Sequence, residues 1–227
     1  MRLPPPHPKR CGFTLAELLV VILIIGIMFA LALPAFMNIS GPSKLDAAAN
    51  AVHAAAKFAR QYAVANHQPT YLVFHTTDTT DDPNLQYRAY AVFSIDTHKQ
   101  TVTQADGAFI TDWATLPVGV VFNDQATSDL NNLFQAGNQN WTGGFNRNRQ
   151  LKIVDAVYTA QAFSPKGKSQ SIMDYKNDLY LADGFYENGS LVRTSSHGQR
   201  IRIEANGKSF ISTITYNETG EPEEVEQ

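Results

Sequence analysis

Glu17 stands immediately before LLVVILIIGIMFALALPAFM (18–37), a run that is apolar apart from Gly26 and Pro34 and is followed by no charge until Lys44. An ionised carboxylate at membrane depth costs a few kcal/mol unless it finds a partner, so such a residue is functional by default. The chemistry it offers is ion pairing. Other side chains offer less. The six histidines (7, 53, 67, 75, 98 and 197) show no metal-ligand spacing, and a nucleophile elbow and a phosphate-binding glycine loop are both absent. Asp78, Asp81, Asp82 and Asn84 supply oxygen ligands that would suit Ca²⁺, but without the EF-hand spacing or its glycine they read as a solvated loop. Arg147, Arg149 and Lys152 form the only basic cluster visible in the later part of the chain. With Trp141 and Phe145 nearby they are the candidate contact for single-stranded nucleic acid. Against that role stands ETGEPEEVEQ (218–227), with five glutamates and no cation. We therefore expect no catalysis, no cofactor, no metal site and no nucleic-acid partner.

These residues need elements to position them. The chain of 227 residues, 44% hydrophobic and 17% charged, can bury a core. Arg2, Lys9 and Arg10 precede Gly12, and the remainder carries 15 basic against 21 acidic side chains. The single cysteine, Cys11, also precedes Gly12, so the body can form neither an internal disulfide nor a thiolate metal site. The twenty residues from Leu18 to Met37 would span roughly 30 Å as a helix, one hydrocarbon core. Basic residues on the short side predict that the start stays cytoplasmic and the body is exported. Three readings fit this segment: a secretory signal peptide cut after Ala30-Leu31-Ala32, a plain uncleaved anchor, or a junction at Gly12 that is itself the signal.

After the span, Gly41-Pro42 is expected to break or kink the helix, with Ser43 and Asp46 capping a second helical stretch. Leu45, Ala48, Ala49, Val52, Ala55, Ala56, Ala59, Tyr62 and Ala63 recur at helical spacing on one face, which predicts a helix lying tightly on a sheet and ending near Asn66. From Tyr71 the pattern changes to strands: 71–74, 87–95, 118–122, 151–163, 178–186, 200–205 and 209–216. Asn206-Gly207-Lys208 is a hairpin turn between the last two. The fold class is α+β, a long N-terminal transmembrane helix followed by an antiparallel β-rich head. The expected divisions are a leader (1–12), a membrane and filament-core helix (13–37), an alanine-rich helix (38–68), the head (69–217) and a disordered acidic tail (218–227).

The stretch KRCGFTLAELLVVILIIGIMFALALP resembles the signal of type IV pilins and type II secretion pseudopilins: a short basic leader, Gly12 at the cut, Phe13 next, and Glu17 fifth in the product. Pro34, twenty-second in the product, matches the family's helix-kinking proline. The resemblance implies that a prepilin peptidase cuts after Gly12 and methylates the new amine of Phe13 while the helix stays in the bilayer. It implies a bacterial inner-membrane location with a periplasmic head. The partners it implies are the lipid bilayer, an inner-membrane assembly platform and other pilin or pseudopilin subunits. Cutting would also supply a cation for Glu17, since the Phe13 ammonium of a neighbouring subunit could pair with it and set register. DWATLPVGVVF (112–122), FSPKG (163–167), DLYLADG (178–184) and RIRIEANGKSF (200–210) are similar to the GspH/FimT-type minor pseudopilins and minor pilins with β-rich heads. Two polar insertions, 76–86 and 123–150, depart from that pattern. The alternatives are a DNA-binding minor pilin for DNA uptake, and a soluble exported binding protein freed by signal-peptide cleavage.

Overall fold

A computed structural model of the chain describes residues 15–38, 40–76, 82, 84–96, 106–125, 132–136, 150–153, 156–170 and 177–224. The chain divides into two units, residues 1–40 and 41–227. The first contains helix α1 (Leu15–Asn38). The second begins within helix α2 (Ser40–Asn66) and carries every strand.

Ser43 was expected to cap the second helix, but α2 already includes Ser40, so Gly41-Pro42 lies in its first turn. A proline is tolerated there because first-turn N–H groups have no intrahelical acceptor to lose. The helix stops at Asn66, where His67 takes a left-handed backbone (φ 55°) and the Gln68 amide donates to the Ala63 carbonyl. Its alanine face packs as the spacing predicts: Leu45, Ala48, Ala49, Val52, Ala56, Ala59 and Ala63 are all buried.

Two antiparallel sheets receive that face. In the first, β1 (Thr70–Phe74) lies between β2 (Ala89–Ile95) and β7 (Ala156–Phe163). The short strands β3 (Gly107–Phe109) and β4 (Ala114–Thr115) pair with β2, while β6 (Gln150–Ile153) and β8 (Ser169–Gln170) pair with β7. The second sheet runs β12 (Pro222–Glu224), β11 (Ser209–Tyr216), β10 (Ser190–Ile203), β9 (Asn177–Glu187) and β5 (Val120–Phe122).

Strand alternation sorts the apolar residues into three clusters. Leu72, Phe74, Val92, Phe122, Leu179, Leu181, Ile201 and Ile203 join the alanines of α2 in the main core. Tyr71, Val73, Ala91, Phe93 and Ile95, the alternate residues of the first sheet, form a second cluster. Tyr180, Ala182, Ile214 and Tyr216 form a third. Both faces of β1 and β2 are therefore buried, which explains their continuous apolar runs.

The 151–163 stretch, expected as one strand, is two: β6 and β7 pair with Ile153 opposite Ala156. Only positions 154 and 155 separate them, and Asp155 is a turn-forming residue type. The 200–205 strand proves to be the end of the longer β10, which passes an irregularity between Arg193 and Gly198 and reaches back to a two-residue turn at Asn188-Gly189. Both turn residues have positive φ (51° and 77°), as a tight hairpin requires. The acidic tail is a further correction. Pro222–Glu224 pairs with Ile214–Tyr216, and Glu224, one of the five glutamates, forms an ion pair with Arg200, so this part of the tail is a strand; residues 225–227 lie outside the described residues. Part of the second insertion also folds inward, because Leu133 of the short 3-10 turn Leu133–Ala136 is buried and Phe134 meets Phe74 edge-on at 5.5 Å.

Three polar ties fix the layers. Gln199 Nε2 donates to Asp46 Oδ1 at 2.7 Å near the start of α2, and Arg60 Nε donates to the Gly167 carbonyl at 2.8 Å near its end. Arg202 donates through Nη2 (2.7 Å) and Nε (3.0 Å) to Asp178, whose side chain is 0% exposed. Removing one member of such a pair leaves a buried charge unmet. We expect Arg202→Ala to destabilise the head by about 3–5 kcal/mol in chemical denaturation, and the double change Arg202→Met/Asp178→Leu to cost clearly less.

Candidate functional site

Helix α1 carries the residues singled out first. Ten side chains from Leu18 to Met28 are each between 46% and 66% exposed, on every side of the helix. A helix that is apolar all round belongs inside something, a bilayer or a bundle. Leaving these ten half-exposed forgoes on the order of 10 kcal/mol of burial. Glu17 is exposed in the first turn of α1. An acid there also complements the helix dipole, an effect of about 0.3–1 kcal/mol. That is too small to offset placing a carboxylate at membrane depth. Pro34 lies within the α1 backbone, and Gly12 and Phe13 lie outside the described residues. Among the described residues no helix is long and apolar enough to cross a membrane. The described side chains of α1 end at Met28, about 20 Å from Leu15. The expectation of a membrane helix over 13–37 therefore rests on the sequence, whose apolar run continues to Met37.

In the head, Asp82 Oδ1 accepts from the Asn84 backbone N–H (2.9 Å) and from its Nδ2 (3.1 Å), which closes a local turn. Asp78 and Asp81, the other proposed Ca²⁺ ligands, lie outside the described residues, as do Arg147, Arg149, Trp141 and Phe145. Lys152 is in β6. Among the described residues no three histidine, cysteine, aspartate or glutamate side chains come together as metal ligands. Ser195, His197 and Asp183 do meet at the irregularity in β10, but in the wrong order for a proton relay. Asp183 is hydrogen-bonded to Ser195 rather than to the imidazole, and burial raises its pKa above the usual carboxylate value.

The chain's similarities to known proteins bear on α1. Residues 7–33 match the family model described as the prokaryotic N-terminal methylation motif. The N-terminal segment is a prepilin-type methylation motif. It contains Gly12, Phe13 and Glu17, and Pro34 lies one residue past its end. No curated protein sequence matches the chain. Two solved structures of the minor pseudopilin EpsH from the type II secretion system of Vibrio cholerae are similar to it. One is 10% identical, with a TM-score of 0.38, covering 81% of this chain and 98% of its own. The other is 11% identical, with a TM-score of 0.37, covering 81% and 99%.

Outside the motif, the structure assembles a basic group that sequence order concealed. Lys57 and Arg60 of α2 and Lys208 of the β10–β11 turn line one cleft, so the cluster at 147–152 is not the head's only concentration of positive charge. Helical spacing places Lys57 and Arg60 together, but nothing local points to Lys208. Elsewhere, His75 is buried against Trp113 (ring centroids 3.9 Å apart) and Tyr158 (5.5 Å). Burial lowers its pKa below 6.5, and that of His53 is lowered by burial and by Lys57. A histidine whose folded pKa is depressed favours folding above its unfolded value, and that contribution is lost as pH falls through the folded one. We expect the head to lose stability as pH drops below about 6.5, with a shallower loss in His75→Gln, measured by thermal unfolding across pH 5–8.

Proposed function

We propose that the chain is a pilin-like subunit, a minor pseudopilin or minor pilin of the GspH/FimT type, matured between Gly12 and Phe13. It assembles through its N-terminal helix into a type II secretion pseudopilus or type IV pilus. The observation that carries this reading is the conjunction in one segment of the methylation motif and an α1 exposed on all its apolar sides. In this reading the helix from Phe13 to Met37 first spans the inner membrane and then packs among other helices in the filament core, so its apolar surface is covered at both stages.

Glu17 pairs with the methylated Phe13 amine of a neighbouring subunit. A carboxylate that is costly in lipid becomes favourable only at the correct axial register, because any slip leaves both charges unmet. Pro34 removes one backbone hydrogen bond late in the helix and permits a kink or local melting there. The head stays outside the membrane. Function is mechanical, and no reaction is assigned to this chain.

The test separates processing from assembly. Glu17→Ala and Glu17→Gln should still yield the processed N-terminus but vanish from sheared filaments, read by immunoblot against the membrane fraction. Incorporation of either variant at the wild-type level would remove the registering role of Glu17.

A further inference from the structure

The cleft between α2 and the β10–β11 turn has a volume of about 300 Å³ and is lined by Lys57, Arg60, Gln61, Lys208, Ser209 and Phe210, together with Gly207. Arg60 is held in place rather than mobile. Its Nε donates to the Gly167 carbonyl, and its side chain passes Gly167 and Gly207, both at positive φ (72° and 77°). A Cβ at Gly207 would lie 2.7 Å from Arg60 Nε, so these two turns are shaped around the guanidinium. Among the described residues its two terminal amino groups have no hydrogen-bond or ion-pair partner, and neither do the ammonium groups of Lys57 and Lys208. The neighbouring β10 arginines are neutralised, Arg200 by Glu224 and Arg202 by Asp178. Glu204, the acid nearest in sequence to Lys208, accepts from Asn206 Nδ2 at 2.9 Å. Three cations with no ion-pair partner among the described residues therefore line one cleft, in a chain whose net charge is −3.

Two further features indicate the form of the ligand. Phe210 is 51% exposed at the cleft, an apolar floor beside the cations. Beyond it lies the outer edge of β11, where β12 pairs with Ile214–Tyr216 and no other described residue pairs with Ser209–Thr213. An exposed edge of this kind accepts an extended peptide as an added strand. Nucleic acid fits less well, since it needs a longer cationic track and several stacking rings.

We propose that this cleft and the adjoining β11 edge bind an extended acidic peptide segment of a partner protein. Its backbone would add to β11, its carboxylates would meet Lys57, Arg60 and Lys208, and an apolar side chain would cover Phe210. An arginine whose Nε is already fixed presents its two remaining amino groups as a preorganised fork for a carboxylate. The proposal uses no property of α1, so it can fail while the assembly reading stands.

The test uses the detergent-solubilised full chain and a fluorescent twelve-residue peptide of alternating glutamate and valine. The expected result is saturable binding that weakens with salt, with slowed amide exchange at Ser209–Thr213 in the complex. Lys57→Ala/Lys208→Ala, both at exposed positions, should weaken binding about tenfold without changing the unfolding midpoint, and the Lys→Arg pair should retain it. The idea is overturned if the glutamate peptide binds no better than its glutamine counterpart, or if the alanine pair binds it as the wild type does. It is equally overturned if a single-stranded oligonucleotide or anionic phospholipid vesicles bind through these lysines while the peptide does not.

Discussion

An α-helix with apolar side chains on every face has no stable place in water, and this constraint governs the N-terminal unit of the chain, residues 1–40. From Leu18 to Met28 ten apolar side chains of α1 each keep about half their surface open. The missing burial must come from lipid or from other helices. Neither medium specifies an axial position, because leucine and isoleucine pack almost equally well one turn up or down. In the proposed assembly a single carboxylate at Glu17 changes that. Its cost in an apolar medium makes one register much better than the rest, provided a cation waits there, and a prepilin-type cut beside Phe13 would create one.

The head solves a different problem, holding a helix of small side chains firmly against two sheets. Alanines permit close approach but bury little area each, so α2 depends on its polar ties as well as on packing. Gln199 holds Asp46 near one end and Arg60 holds the Gly167 turn near the other. The second tie also draws the β7–β8 and β10–β11 turns together around one guanidinium. The same side chain therefore locks the fold and forms the base of the basic cleft.

Most of the fold was legible in local patterns. Alanine at spacings of three and four marked the buried face of α2, and the β-branched and aromatic runs marked the major strands, with Ser209–Tyr216 read to the residue. The misreadings share a physical origin, since each turned on a partner distant in sequence. The acidic tail looked solvated because Arg200, which neutralises Glu224, is 24 residues away. Leu133 was hidden in a polar insertion because the core it enters is built by other segments. The basic cleft was invisible because Lys208 joins Lys57 and Arg60 only after the sheet forms. By contrast, the methylation motif is contiguous, and it was the most readable feature of the chain.

The decisive measurement is the intact mass and N-terminal fragment spectrum of the protein extracted from membranes. A chain beginning at Phe13 and carrying one added methyl group on its amine is the predicted result, and it would mean that the apolar helix is retained and the partner for Glu17 exists. A chain beginning at Leu33 would contradict it, since the helix would then be a discarded signal peptide and Glu17 would have no role after export.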